Sequence, residues 1–268
     1  MLENRGNLNR IPGLLWRDGH WAPQMQITDM DALPYPDMSD YFAMLARSAP
    51  GVVPTMLMET SRGCWWGAKP HCTFCGLNGQ TMTFRSKSAG RALDEIDALT
   101  RDNDCQLLSM VDNIMDMKYF RDLIPALADR TDIPSIFYET KSNLSRAQVR
   151  MLAKANIRIL QPGVESLSDP VLKLMRKSTN ALRNVQLLKW GREYGVSVEW
   201  NVLYHFPGEC DADYDEMLKM MPLLTHLQPP SGLARKKWRA PTEEPGGVLW
   251  ETGTDRRRSF GVKRHGWH

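Results

Sequence analysis

Three cysteines, Cys64, Cys72 and Cys75, fall within twelve residues on a glycine-bearing stretch that runs from Glu59 to Gly79. Thiolates spaced this closely on one loop can turn toward a common centre, and iron–sulfur clusters are held by cysteine thiolates. A cubane [4Fe-4S] cluster has four irons, so three cysteines leave one iron with open sites. A small molecule bearing an amine and a carboxylate, such as the methionine end of S-adenosylmethionine (SAM), can chelate that iron. An electron passing from the cluster to the adjacent sulfonium then breaks a carbon–sulfur bond homolytically. The protein's share of such chemistry is placement, since the hard steps belong to the cofactor. Zinc is the competing reading, with His71 completing a Cys₃His set. His71 is the immediate neighbour of Cys72, so bringing both onto one tetrahedral ion would strain the loop. Cys105 and Cys210 stand alone in sequence and are expected to be small buried hydrophobes.

The elements that must present this loop begin at residue 51, where apolar runs suited to buried strands alternate with helical patterns. That alternation predicts parallel βα units. The expected strands are Thr55–Glu59, Gln106–Asp112, Ser135–Thr140, Ile157–Val164 and Val196–Leu203. Between them, Ser88 is expected to cap a helix running to Leu99, and Lys118–Asp129 to form a second, disturbed by Pro125. Ser145 with Gln148 makes a capping box for the third. Asp169 before Pro170 opens the fourth, with Gly195 closing the helix behind it. A last helix spans about Asp211 to Leu227, with Tyr214, Met217, Leu218 and Met221 on one face, the methionines serving as core filler. Five such units are an incomplete (β/α) barrel: a sixth strand should start just after Gly232, but the pattern stops making sense there, so the sixth strand is expected to be missing.

Residues 1–50 read as an N-terminal extension, with Asp31 to Tyr41 an extended connector because each proline biases its predecessor away from helix. Residues 51–234 are the barrel core. Residues 235–268 are a basic tail without strand or helix period: it holds no Ile or Met, three of the nine tryptophans, five glycines and Arg256-Arg257-Arg258. Such a break in texture is expected of a segment translated out of frame. The tail has nine Lys/Arg against four Asp/Glu, while residues 1–234 hold 25 against 27, so the formal net charge of +3 resides in the tail. The body therefore lacks the electrostatic footprint of a nucleic-acid binder. No run approaches the ~20 apolar residues of a membrane span, and the N-terminus lacks a signal-peptide pattern. A cytoplasmic setting, where thiols stay reduced, is the expectation, and no membrane partner is expected.

The spacing C-x₇-C-x₂-C with Phe74 before the last cysteine resembles a lengthened C-x₃-C-x₂-C loop of the radical SAM superfamily. The longer strings are more specific: Gly63-Cys64-Trp65-Trp66-Gly67, His71-Cys72-Thr73-Phe74-Cys75-Gly76-Leu77-Asn78-Gly79 and Phe84-Arg85-Ser86-Lys87-Ser88. They are joined by Val111–Ile114, Tyr138–Asn143, Gln161–Ser166, Phe206–Glu209 and Leu224–Gly232. Together these resemble the cobalamin-dependent radical SAM C-methyltransferases that mature ribosomally made peptides, over about residues 20–234. The resemblance implies a partial TIM-like barrel, a cluster on Cys64, Cys72 and Cys75, and SAM cleavage to a 5′-deoxyadenosyl radical. It implies Phe74 against the adenine with Gly76 in the same loop, and Asp112 and Asn113 at the SAM amino group. Glu139, Glu165 and Ser166 would lie near the ribose or sulfonium; no residue is assigned a catalytic role, and Tyr204 and Glu209 face substrate without one. The implied partners are a precursor peptide and a reductant such as flavodoxin or ferredoxin. Cobalamin serves the full-length relatives, but no D-x-H-x-x-G signature occurs here, and Asp18-Gly19-His20 does not fit it. The chain thus reads as such an enzyme truncated at both ends. The alternatives are a non-catalytic product of a frameshifted gene and a zinc-stabilised binding module.

Overall fold

A computed structural model describes residues 11–15, 25–49, 51–76, 81–101 and 105–230. Its centre is a parallel sheet of β1 (Thr55–Met58), β4 (Leu107–Met110), β5 (Ser135–Glu139), β6 (Ile157–Gln161) and β7 (Ser197–Val198), in that spatial order. A short antiparallel ribbon, β2 (Ser61–Arg62) with β3 (Arg85–Ser86), stands apart from it. All five expected strands exist, in chain order and parallel, as the alternation of strand and helix requires. Residues 231–268, where the sixth strand is expected to be missing and where the tail lies, are outside the described residues.

Side-chain alternation along the strands divides the sheet into two faces. Met56, Met58, Leu108, Met110, Ile136, Tyr138 and Leu160 are buried against the helices, forming the main core with Ile96, Leu123 and Leu152. The opposite register row, Leu57, Ser109, Phe137, Ile159 and Ser197, lines the concave side. Leu57 there is 52% exposed.

The helices obey their capping residues. Ser88 accepts from the Arg91 N–H and opens α2 (Ala89–Thr100), and Ser145 and Gln148 form the complete capping box of α4 (Arg146–Lys154). The stretch expected as one helix over Lys118–Asp129 divides into a 3₁₀ turn, Met117–Phe120, and α3 (Leu123–Ala128), which places Pro125 in the first turn, where its missing N–H costs nothing. Ser168, one residue before the expected Asp169, caps α5 (Asp169–Leu174). That helix stops early, and α6 (Ala181–Tyr194) starts anew from Asn180 and ends at Gly195 in the left-handed region, φ 67°. Only glycine accepts that conformation freely.

The final helix is α7 (Asp211–Met220), followed by a 3₁₀ turn, Met221–Leu224; Met217 and Met221 are buried with Trp200 and Val198. Cys210 is exposed, not buried as expected, because it sits at the N-cap, half outside the helix. Beyond the turn, Gln228 lies along the outer edge of β7, the last strand among the described residues: its side-chain oxygen accepts from the Val198 N–H, and its carbonyl accepts from the Trp200 indole at 3.0 Å.

The connector before the barrel is less extended than expected, since α1 (Ser39–Ser48) occupies its end. Arg91 of α2 fastens it, donating to the Leu33 carbonyl at 2.6 Å and lying 3.9 Å from the centre of the Tyr35 ring. No described helix is long and apolar enough to cross a membrane.

Candidate cofactor site

The cysteine loop leaves the sheet from the C-terminal end of β1, the end where barrel folds build their sites. Its neck is the β2–β3 ribbon. Gly63 adopts φ 86° there, and a Cβ at that position would stand 2.2 Å from the Thr83 carbonyl oxygen, so nothing larger than glycine fits. Inside the neck, Gly67 N–H reaches Cys64 Sγ at 3.2 Å, the kind of donor that stabilises a cluster thiolate. The Trp65 indole donates to the Met115 carbonyl at 2.9 Å. At the far end, Thr73 is clamped to the end of α5, donating through Oγ1 to the Leu174 carbonyl at 2.9 Å and through its N–H to that of Met175 at 3.3 Å.

All three cysteines are half-buried free thiols. Burial pushes the Cys72 thiol above its ordinary value; Lys177 and Lys141 pull it down, and Cys75 and Cys64 add to the rise. Among the described residues no three His, Cys, Asp or Glu side chains are gathered tightly enough to hold one metal ion. His71, the fourth member of a zinc set, has φ 45° and is exposed.

Phe74 packs edge-on against Phe206, 6.3 Å between ring centres, over Val171, Met175 and Leu203. Gly76 is exposed at the loop's outer end. The remaining sequence-derived site residues divide into two groups. Asn113 and Glu139 are half-buried just past β4 and at the end of β5. Glu165, with φ 60°, faces the Lys177 ammonium at 3.7 Å. Asp112 and Ser166 lie deeper, each 1% exposed. The Asp112 carboxylate accepts from the Thr60 N–H at 2.7 Å, from the Thr60 hydroxyl and from the Ser61 hydroxyl at 2.8 Å. Burial lifts its pKa to about 6, against the opposing pull of those hydrogen bonds. The Ser166 hydroxyl points to Met217 Sδ of α7 at 3.5 Å and accepts from the Ser168 N–H.

Two lysines that the residue-by-residue reading passed over complete the site. Lys141 and Lys177 are only 7% and 9% exposed. Lys141 Nζ lies 3.5 Å from the centre of the Trp66 ring and donates to the Lys177 carbonyl; Lys177 Nζ lies 5.5 Å from the Phe74 ring centre. Lys141 stands inside the Tyr138–Asn143 string, just past β5, where a lysine at a buried strand end is the available signal because lysine is rarely buried; Lys177, in the turn between α5 and α6, carries no such signal. Around them the loops are strained: of the six non-glycine residues with positive φ, His71, Glu165, Arg176, Ser178 and His205 lie in these loops, each at a cost of about 1–3 kcal/mol.

A sheet whose first strand delivers a three-thiol loop defines a class, and the comparisons agree. The family model of the radical SAM superfamily matches residues 58–221, more than half of the chain. The chain belongs to the radical SAM superfamily, whose members use a [4Fe-4S] cluster and SAM. Among curated proteins it is 22% identical over 221 residues to the hopanoid C-3 methylase of Methylococcus capsulatus, covering 80% of this chain and 40% of that protein. It is 25% identical over 240 residues to the tRNA-2-methylthio-N(6)-dimethylallyladenosine synthase of Symbiobacterium thermophilum, covering 80% and 48%. Among solved structures, the cobalamin-dependent SAM radical enzyme OxsB superposes with a TM-score of 0.63 at 18% identity, over 79% of this chain and 32% of that one. The radical SAM methyltransferase TsrM of Kitasatospora setae gives 0.57 at 14% identity, over 66% and 35%. At such identities the likeness establishes the shared partial-barrel fold. The chain spans less than half the length of each of these relatives.

Proposed function

We propose that this chain is the catalytic core of a radical SAM enzyme that methylates an unactivated carbon of a ribosomally made peptide. The observation that carries the cluster assignment is the three-thiol loop after β1, pinned at its neck by Gly63 and at its tip by Thr73. A donor set of three thiols and one backbone N–H suits a cluster held by thiolates, and an exposed His71 with φ 45° beside Cys72 makes a poor fourth ligand for zinc. Bound there, the cluster supplies the electron that cleaves SAM.

The residues of the chain do the placing. Cys64, Cys72 and Cys75 hold the cluster, Phe74 and Phe206 present an aromatic wall, and Asn113, Glu139 and Glu165 offer polar groups above the strand ends. Trp65 ties the loop to the Met115 carbonyl, and Trp66 offers its ring face to Lys141. The peptide substrate rests on the sequence resemblance over residues 20–234, and methylation on that resemblance together with methylating relatives. The cobalamin that such methylation needs has no signature within these residues, so a separate subunit or segment would supply it. Flavodoxin or ferredoxin would deliver the electron in a cytoplasmic setting.

The test is anaerobic reconstitution with iron and sulfide, followed by dithionite, SAM and chromatography for 5′-deoxyadenosine. Wild-type protein is expected to release it, and Cys72→Ala to release none. Equal turnover by the variant would overturn the cluster assignment.

A further inference from the structure

We infer that Lys141 and Lys177 are positioning residues that set the charge, and through it the reduction potential, of the cluster held by Cys64, Cys72 and Cys75; this rests on the cluster reading above. Buried ammonium groups need counter-charge, because desolvation penalises their charged form. Here two of them share one pocket. The partners they find are one carboxylate, Glu165, 3.7 Å from Lys177, the Trp66 and Phe74 ring faces, and the carbonyl through which Lys141 is tied to Lys177. One carboxylate against two ammoniums leaves the pocket a net cation.

The missing anion stands beside it. Three thiolates outweigh the charge of the iron–sulfur core they hold, so the ligated cube is an anion, and each electron it accepts deepens that charge by one. Lys141 lies 3.5 Å from the ring of Trp66, two residues past Cys64, and Lys177 lies 5.5 Å from the ring of Phe74, between Cys72 and Cys75, so both ammoniums sit against the cysteine loop itself. Cations at this range favour the reduced form, since net local charge is one of the levers on cluster potential. Burial first, and then repulsion from Lys177, bring Lys141 down to about 8, a cost that an anionic neighbour would relieve.

The backbone is arranged to keep the pair in place. Lys177 sits between Arg176, φ 55°, and Ser178, φ 47°, two left-handed residues that turn the chain in and out around it. Gly163 makes room: a Cβ there would lie 2.8 Å from Lys177 Nζ. The same turn supplies the carbonyls that hold Thr73, so the lysine and the cysteine loop share one anchor.

The experiment is a dithionite-poised redox titration of the reconstituted protein, followed by electron paramagnetic resonance without SAM, for wild type and for Lys141→Gln, Lys177→Gln, Lys141→Arg and Lys177→Arg. Each glutamine variant is expected to titrate at a more negative midpoint than wild type, and each arginine variant close to wild type. Unchanged midpoints in both glutamine variants would overturn the inference, as would a shift that appears only after SAM is added. If a glutamine variant is folded by circular dichroism but holds no iron, the arginine variant decides: recovery of cluster and potential supports the inference, and failure of both overturns it. Absence of any cluster in wild type would instead defeat the reading of the loop itself.

Discussion

The two sides of the site handle buried polarity in opposite ways. Under β1 and β4, Asp112 gathers the Thr60 and Ser61 donors, the Thr60 hydroxyl reaches the Tyr138 hydroxyl at 2.8 Å, and Tyr119 donates to the Thr60 carbonyl at 3.0 Å, closing a network. Under β5 and β6, the Trp66 indole N–H and the Thr140 and Ser142 hydroxyls are buried without a hydrogen-bond partner, around two ammoniums short of counter-charge. Completed networks rigidify a fold, whereas unfinished ones mark where something else binds. The contrast separates the architecture of this barrel from its function.

The largest effect should come from breaking the finished side. Asp112→Ala strands the Thr60 N–H and takes one of two partners from each hydroxyl, Thr60 keeping Tyr138 and Ser61 keeping the Ile114 carbonyl at 2.9 Å, so with a buried orphan costing about 1–3 kcal/mol a loss approaching ~3 kcal/mol is expected. Urea unfolding near pH 5, where the native carboxyl is still protonated, measures it, and a loss under ~1 kcal/mol would mean the network is not structural. The pH dependence is next. Burial raises Asp112 from 3.8 to about 6, so the folded state holds its proton more tightly than the unfolded chain does. The stability contributed is full below the lower value and is lost as pH climbs through the window, by about 3 kcal/mol. Wild type should therefore lose stability relative to Asp112→Asn between about pH 4 and pH 6, and parallel curves would contradict the assignment. The smallest effect belongs to the unfinished side. Ser142→Ala removes an orphan hydroxyl and should change stability by less than ~0.5 kcal/mol or raise it slightly. A loss above 1 kcal/mol would show a hidden partner and weaken the contrast.

Much of this was legible in the sequence because it is local. Ser88, Ser145 and Gly195 announce helix ends through hydrogen bonds and φ values that neighbouring residues determine. Strand beginnings followed from apolar runs. Strand ends did not: β6 stops at Gln161, before Pro162 and Gly163, where the backbone turns left-handed to admit Lys177, and β7 shrinks to two residues. The split between α5 and α6 has the same origin, a turn shaped by what it packs against across the pocket. The three cysteines announced themselves by spacing, whereas the lysine pair is brought together from different βα units and no local pattern encodes that. Ser166, placed by resemblance near the sulfonium, lies turned toward Met217.

Gln228 carries a consequence of its own. Among the described residues, the outermost β7 donor is satisfied by an amide side chain and not by a neighbouring strand, so that rim of the sheet is latched, not sealed. An incoming stretch of extended chain has only to push aside one flexible group to inherit a ready-made pairing template. The barrel can be lengthened on that flank without disturbing any of the strands already in place.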